Sequence, residues 1–261
     1  DWSSDVCSSD LIDNPAEILP TGSFSNLTTT YGTASASTTL FVKADHLSAD
    51  VVATAPAGFE VSLDDVHYGT SVVFVQSGGN ASGTLYLRLA ATMAAGTYAS
   101  SVTLSTANAA NVSLPIPTST VLQKALTISG VTVVAKVYDG TTSATLDSTG
   151  GALVGLVGGD AVTLVAASAT GTYADPKVGA GKKVTTSGFT LTGAAAGNYS
   201  LTQPTVSGTI TAKALSVAGV TVVPKTYDGT TSATLSSAAA TVTGVVAGDI
   251  VTLSPVGATG T

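Results

Sequence analysis

Lys136-Val137-Tyr138-Asp139-Gly140-Thr141-Thr142-Ser143-Ala144-Thr145-Leu146 decides how this chain is read. It returns as Lys225-Thr226-Tyr227-Asp228-Gly229-Thr230-Thr231-Ser232-Ala233-Thr234-Leu235, 89 residues on. The register holds on both sides without a gap. Lys124 matches Lys213, Asp160 matches Asp249, and Thr170-Gly171-Thr172 matches Thr259-Gly260-Thr261. Of the 48 positions from Ala125 to Thr172, 29 are identical to those from Ala214 to Thr261. A fixed period of this kind marks an array of like modules.

Working outward, the composition suits an array of strands. The chain has 261 residues, 44% hydrophobic and only 10% charged, enough apolar material for two or three domains. Thr and Val favour strands, and Gly punctuates turns. The formal net charge is −7, and Lys182-Lys183 is the one basic pair, expected to be a solvated strand end. This balance lacks the electrostatic footprint of a nucleic-acid partner or an anionic membrane. No run of 18 apolar residues occurs, so no membrane insertion is expected. The single cysteine, Cys7, cannot form an internal disulfide.

Residues 1–11 resemble the conceptual translation of a short-read sequencing adapter, and are expected to be an artefact outside the fold. Residues 12–22 carry Pro15 and Pro20 without a clear period and read as a linker. Residues 23–123 then read as a β-sandwich. Short runs such as Phe59-Glu60-Val61-Ser62-Leu63 and Thr84-Leu85-Tyr86-Leu87-Arg88-Leu89 alternate at period two. That pattern places Phe59, Val61 and Leu63 on one face, and Leu85, Leu87 and Leu89 on another. Pro56-Ala57-Gly58, Asp64-Asp65 and Ser77-Gly78-Gly79-Asn80 supply turns between the strands. Tyr98, just before the strand Val102-Thr103-Leu104, suits a tyrosine corner. Ala57-Gly58-Phe59-Glu60-Val61-Ser62, Leu85-Tyr86-Leu87-Arg88-Leu89 and Ala95-Gly96-Thr97-Tyr98 resemble the immunoglobulin-like modules of bacterial surface proteins.

Residues 124–213 form the complete repeat and 214–261 a second one cut after 48 of its 89 residues. Val137-Tyr138-Asp139-Gly140-Thr141-Thr142, Gly179-Ala180-Gly181-Lys182-Lys183-Val184 and Gly193-Ala194-Ala195-Ala196-Gly197-Asn198-Tyr199-Ser200-Leu201 are similar to the YDG repeat domain. That family occurs in tandem in large secreted bacterial adhesins of the filamentous haemagglutinin type. Ala195 departs from the family, which usually carries Asp there. An adapter-like front and a cut repeat lead to the expectation of a fragment of a longer gene. The expected fold class is all-β, as tandem immunoglobulin-like or Greek-key sandwich modules. In residues 214–261, Val220, Val222, Leu235, Val251 and Leu253 are expected to keep one side uncovered.

No catalytic signature is present. G-x-S-x-G, P-loop and H-E-x-x-H patterns do not occur. His46 and His67 lie 21 residues apart on different expected loops, which is poor spacing for a metal site. Asp139 and Asp228 read first as tight-turn residues before Gly, with calcium as the weaker alternative, because each repeat shares few carboxylates. Asp45, Asp50, Asp64 and Asp65 make the densest acidic set. Tyr138 and Tyr227 read as half-buried rings over a sandwich end. Catalytic, cofactor and metal residues are therefore expected to be none.

The resemblance implies a non-catalytic stalk or adhesive repeat region of a secreted or cell-surface bacterial protein, hence an extracellular location. Its expected partners are neighbouring repeats of the same chain. Host or cell-surface glycans or proteins would be bound by regions outside these residues. The alternative is a set of accessory sandwich modules of a secreted polysaccharide-active enzyme whose catalytic domain lies elsewhere. A weaker third reading is carbohydrate binding by the first module through Tyr68 and Tyr86.

Overall fold

The computed structural model describes residues 15–254 and 258–260. The adapter-like segment 1–11, with Cys7, lies outside the described residues. Among the described residues the chain is strand and turn, with one short 3-10 turn at Ala196–Asn198. Two compact units form. The first runs to Leu126 and takes in Gly155–Val162 and Gly193–Ser200. The second holds Thr127–Val154, Thr163–Thr192 and the chain from Leu201 on. Two loops of the first repeat thus belong with the N-terminal module.

The N-terminal module is built from β1 (Glu17–Thr21), β2 (Thr28–Thr30), β3 (Thr38–Asp45), β4 (Val51–Thr54), β5 (Phe59–Ser62), β6 (Ser71–Phe74), β7 (Ala81–Leu89), β8 (Gly96–Ser105) and β9 (Val112–Leu122). They form two sheets, β1-β3-β7-β5 and β2-β9-β8-β4-β6. Alternation along each strand feeds the core. Leu85, Leu87 and Leu89 of β7 are wholly buried, as are Val51 and Ala53 of β4 and Val102 and Leu104 of β8. The expected sandwich is therefore present.

Two expectations about this module change. Residues 12–22 are not a linker throughout, because Glu17–Thr21 pairs antiparallel with β3 and Ile18 is buried. Pro20 fits because β1 is a sheet edge, where a missing N–H breaks no ladder on the open side. Leu63 leaves the face of Phe59 and Val61 and is 40% exposed. The strand stops at Ser62, whose hydroxyl donates to the Asp64 carboxylate at 2.8 Å and accepts the Asp64 N–H at 3.1 Å, turning the chain.

The first repeat contributes β10 (Lys124–Ser129), β11 (Thr132–Val133), β12 (Lys136–Val137), β13 (Ser143–Ala144), β14 (Leu146–Asp147), β15 (Ala152–Val154), β16 (Thr163–Val165), β17 (Thr170–Tyr173), β18 (Gly179–Ser187), β19 (Thr190–Thr192), β20 (Tyr199–Leu201) and β21 (Thr205–Thr211). Its main sheet runs β12-β21-β18-β17-β13. Tyr173, Val184 and Ile210 are buried against Val133, Leu146 and Val206. Leu146 and Val206 also touch the neighbouring cluster of Ile128, Val131 and Phe189, so the core of this unit is continuous.

In the second repeat, β22 (Ser216–Ala218) pairs with β25 (Thr241–Thr243), and β23 (Thr221–Val222) with β24 (Leu235–Ser236). These registers reproduce Thr127↔Val154 and Val133↔Leu146 of the first repeat at the 89-residue offset. The bridge Ala233↔Gly260 likewise repeats Ala144↔Gly171. Burial does not follow. Ile128 and Val131 are 9% and 8% exposed, but Val217 and Val220 are 48% and 45% exposed. Val222, Val251 and Leu253 are also exposed, as expected, while Leu235 is half-buried. Phe189, Leu201 and Val206 cover Ile128 and Val131, and at the 89-residue offset no residue of 1–261 matches these three.

Candidate functional site

The Tyr-Asp-Gly run makes a corner, not a hairpin. It links β12 and β13, which lie at opposite edges of the main sheet. The edges nonetheless approach each other, since the Lys136 ammonium reaches the Ser143 carbonyl at 3.1 Å. The same ammonium donates to the Thr141 carbonyl and hydroxyl, both at 2.9 Å, and pairs with Asp139 at 2.7 Å. The Asp139 carboxylate accepts the Thr141 N–H and hydroxyl, both at 2.9 Å. Lys136 holds the Asp139 carboxyl down to about 2, helped by the Thr141 bonds. The second repeat builds the same cage: Asp228 takes the Thr230 N–H at 3.0 Å and the Lys225 ammonium at 2.9 Å. Gly140 and Gly229 adopt φ of 78° and 73°, which an L side chain resists. Asp139 and Asp228 thus occupy equivalent turns, each carboxylate engaged by its own corner.

Tyr138 is half-buried, as expected. Its N–H donates to the carbonyl of Thr211 at the end of β21, and its hydroxyl donates to Asp249 of the second repeat at 3.0 Å. The Asp249 carboxylate, chiefly through that hydrogen bond, pushes the Tyr138 phenol above its ordinary value. Asp249 closes the turn Val246-Ala247-Gly248-Asp249, whose last N–H returns to the Val246 carbonyl at 3.0 Å. An ideal Cβ on Gly140 would stand 3.1 Å from Val246 Cγ1, so the corner and the turn meet closely. An open hollow of about 180 Å³ beside this contact is lined by residues including Val178, Leu215, Val246 and Val251.

The first unit contains the same arrangement made from different residues. Tyr31 follows β2, which runs parallel to the last strand β9, just as β12 runs parallel to β21. The Tyr31 N–H donates to the carbonyl of Leu122, the last residue of β9, at 2.9 Å. Its hydroxyl donates to Asp160 at 3.1 Å. Asp160 closes Val157-Gly158-Gly159-Asp160, with its N–H to the Val157 carbonyl at 3.3 Å. An ideal Cβ on Gly32 would lie 2.5 Å from Val157 Cγ2. Here a third residue joins. The Tyr199 hydroxyl donates to the other Asp160 oxygen and accepts the Val157 N–H at 2.9 Å. Its ring meets Tyr31 edge-on at 5.5 Å. Burial first, and then Asp160, raise the Tyr31 and Tyr199 phenols.

Tyr227 is not half-buried but 93% exposed. Among the described residues no group of three or more His, Cys, Asp or Glu is placed to hold a metal. The acidic set is dispersed: Asp45 pairs with Lys43 at 2.6 Å, Asp50 accepts the Gln76 N–H, Asp64 binds His67 at 2.7 Å, and Asp65 accepts from Tyr68. His46 takes a left-handed φ of 58°. Tyr68 lies under the Arg88 guanidinium, 3.7 Å away, and Arg88 also pairs with Glu60 at 2.8 Å. Tyr86 stands on β7 opposite Thr39 and Ser62. Lys182 is not a free solvated cation but pairs with Asp175 at 2.5 Å. Gly78-Gly79 forms the expected tight turn inside the Ser77–Asn80 bridge, and the Tyr98 hydroxyl ties back to the Ala94 carbonyl at 2.9 Å. Ala195 precedes the 3-10 turn, which has no side-chain cap there.

The YDG domain model matches residues 122–206 and again 211–261, more than half of the chain. The chain belongs to the YDG domain family. The search of curated proteins found no match. Among solved structures, the I9–I11 tandem of titin is similar at 10% identity, over 84% of this chain and 76% of that one, with a TM-score of 0.23.

Proposed function

We infer that this chain is a non-catalytic stalk or adhesive repeat region of a secreted or cell-surface bacterial protein. The observation that supports this reading is the recurrence of one contact. A tyrosine beside the last strand of one module bonds the aspartate of a turn in the repeat that follows, twice along the chain. Such contacts restrain the repeat that follows, and the connections at Gln123 and at 212–215 are short. A stalk needs that restraint, because freely jointed modules collapse on themselves. Neighbouring repeats are then the partners of each module, and any glycan or protein ligand is bound elsewhere in the parent protein.

Pulling the whole chain from its ends in a force spectrometer tests the reading. A stalk gives separate unfolding events, with about 30 nm of contour released by the 89-residue repeat. Smooth extension without such events overturns it, and so does turnover of a polysaccharide by this chain alone.

A further inference from the structure

We propose that Tyr227-Asp228-Gly229 is an open half-joint, and that its occupant is the Val-x-Gly-Asp turn of a further repeat of this kind. The inference rests on the stalk reading but concerns a site that reading does not assign. Tyr227 stands 89 residues after Tyr138 in the same run of residues. The corner around it is already formed. Lys225 bonds Asp228 at 2.9 Å and the Thr230 carbonyl at 3.1 Å, and the Asp228 carboxylate holds the Thr230 N–H and hydroxyl. What differs is what faces the corner. The Tyr138 hydroxyl has Asp249, and Gly140 abuts Val246. The Tyr31 hydroxyl has Asp160, and Gly32 abuts Val157. Tyr227 is 93% exposed, and nothing lies within 4 Å of an ideal Cβ on Gly229.

The vacant contacts define the occupant. A branched aliphatic side chain must fit against the glycine, and a carboxylate three residues later must reach the phenol. Val157-Gly158-Gly159-Asp160 and Val246-Ala247-Gly248-Asp249 meet that description, and both are engaged within this chain. Direction is also set. In both joints the tyrosine comes first in the sequence, and the turn is the Val-x-Gly-Asp of the repeat that follows it. A large exposed phenol beside a rigid, pre-ordered corner loses little conformational entropy when it docks. The order of modules is therefore encoded in the joint, with a donor on one end and an acceptor on the other, a head-to-tail contact.

Tyrosine nitration tests this on the whole chain and on an extended one. The extension adds a copy of residues 173–213 after Thr261, completing the second repeat, and then a copy of residues 125–213. In the 261-residue chain, tetranitromethane should modify Tyr227 well before Tyr31 or Tyr199. In the extended chain, Tyr227 should react roughly tenfold more slowly. Asp160→Asn or Val157→Ala in the appended copy of 125–213, each made separately, should restore the fast rate while the copied Tyr173 of that same 125–213 segment stays protected. That protected tyrosine reports that the appended repeat is folded. Equal nitration of Tyr227 in both chains, with the copied Tyr173 protected, overturns the joint. Regular force steps in the same extended chain would then leave the stalk reading standing, so the two failures are distinguishable.

Discussion

The Tyr138 hydroxyl reaches Asp249 across 111 residues of sequence, and the Tyr31 hydroxyl reaches Asp160 across 129. One bond uses a member of the Tyr-Asp-Gly run and the other does not, yet both end on the same position of the repeat. Tyr31→Phe keeps the buried ring and removes the hydroxyl, leaving an Asp160 oxygen without that donor. We expect a loss of about 1.5 kcal/mol in urea denaturation, the lower range for a hydrogen bond to a charged group. Tyr138→Phe, at a more open joint, should cost less. In a double-mutant cycle Tyr31→Phe should couple to Asp160→Asn and not to Asp249→Asn. Coupling to both aspartates, or to neither, refutes the assignment.

Alkaline pH gives a second check on the first joint. The Tyr31 and Tyr199 phenols are raised by burial and by Asp160. Unfolded tyrosine ionises near 10. Between that value and the higher folded one, the native state binds more protons than the unfolded state, so stability falls as pH rises. Below about pH 10 their contribution is fully present. Denaturation midpoints measured from pH 8.5 to 11.5 should fall in the upper part of the range, and Asp160→Asn should make the fall shallower.

Much of the fold is legible in the sequence where burial alternates. Leu85, Leu87 and Leu89 announce β7 because every second residue enters the core. Strand β1 is not legible, because Pro15 and Pro20 look like linker residues until the sheet edge beside β3 is known. Strand β17, Thr170-Gly171-Thr172-Tyr173, has little apolar signal. Gly171 faces inward with no side chain, and an ideal Cβ there would stand 2.8 Å from Leu146 Cδ2. The Tyr138 ring could be read as half-buried from its chemistry. Its partner could not, because the contact is made by the next repeat. The available signal was the match of Asp160 with Asp249, together with the Tyr31-Gly32 pair that imitates Tyr-x-Gly.

Glycine at the joint is required twice over. Gly32 has φ of 85° and Gly140 has φ of 78°. An alanine at either costs about 1–2 kcal/mol in backbone strain alone. At Gly32 the new Cβ would also lie 2.5 Å from Val157 Cγ2, against 3.1 Å from Val246 Cγ1 at Gly140. Gly32→Ala should therefore destabilise more than Gly140→Ala. Pairing Gly32→Ala with Val157→Ala should recover part of the loss, since the shortened side chain gives room. No recovery in thermal melts would mean that strain, not contact, sets the cost.

The corner carboxylate predicts an acid dependence of opposite sign to the phenols. The Asp139 carboxyl is held down to about 2 by Lys136 and the Thr141 donors, and the Asp228 carboxyl is lowered by the matching set. Their contribution is present above the unfolded value near 3.8 and is lost as pH falls toward about 2. Carboxyl carbon shifts in NMR should show Asp139 still ionised at pH 3. Lys136→Met should move its midpoint up toward the ordinary range, and a midpoint unmoved by that change would show that Lys136 is not the cause.

The two repeats offer a comparison at matched positions. Ile128 is 9% exposed beneath Phe189, while Val217, its counterpart, is 48% exposed. The local pairing is the same in both, Ile128↔Leu153 and Val217↔Val242. The local pairing is therefore formed in both, and the first repeat adds the covering layer of Phe189, Leu201 and Val206. Ile128→Ala removes packed methylenes from a core and should cost about 2–5 kcal/mol. Val217→Ala removes a half-solvated side chain and should change stability by about 0.5 kcal/mol or less. Hydrogen exchange should follow the same division. Amides of β10 and β15 should be protected, and those of β22 and β25 should exchange in far shorter times, since an element with few buried contacts opens locally at low cost. Comparable protection of the two pairs, or a large effect of Val217→Ala, would mean that a further layer covers Val217 in solution, and that the pairing of β22 with β25 is not what holds that segment in place.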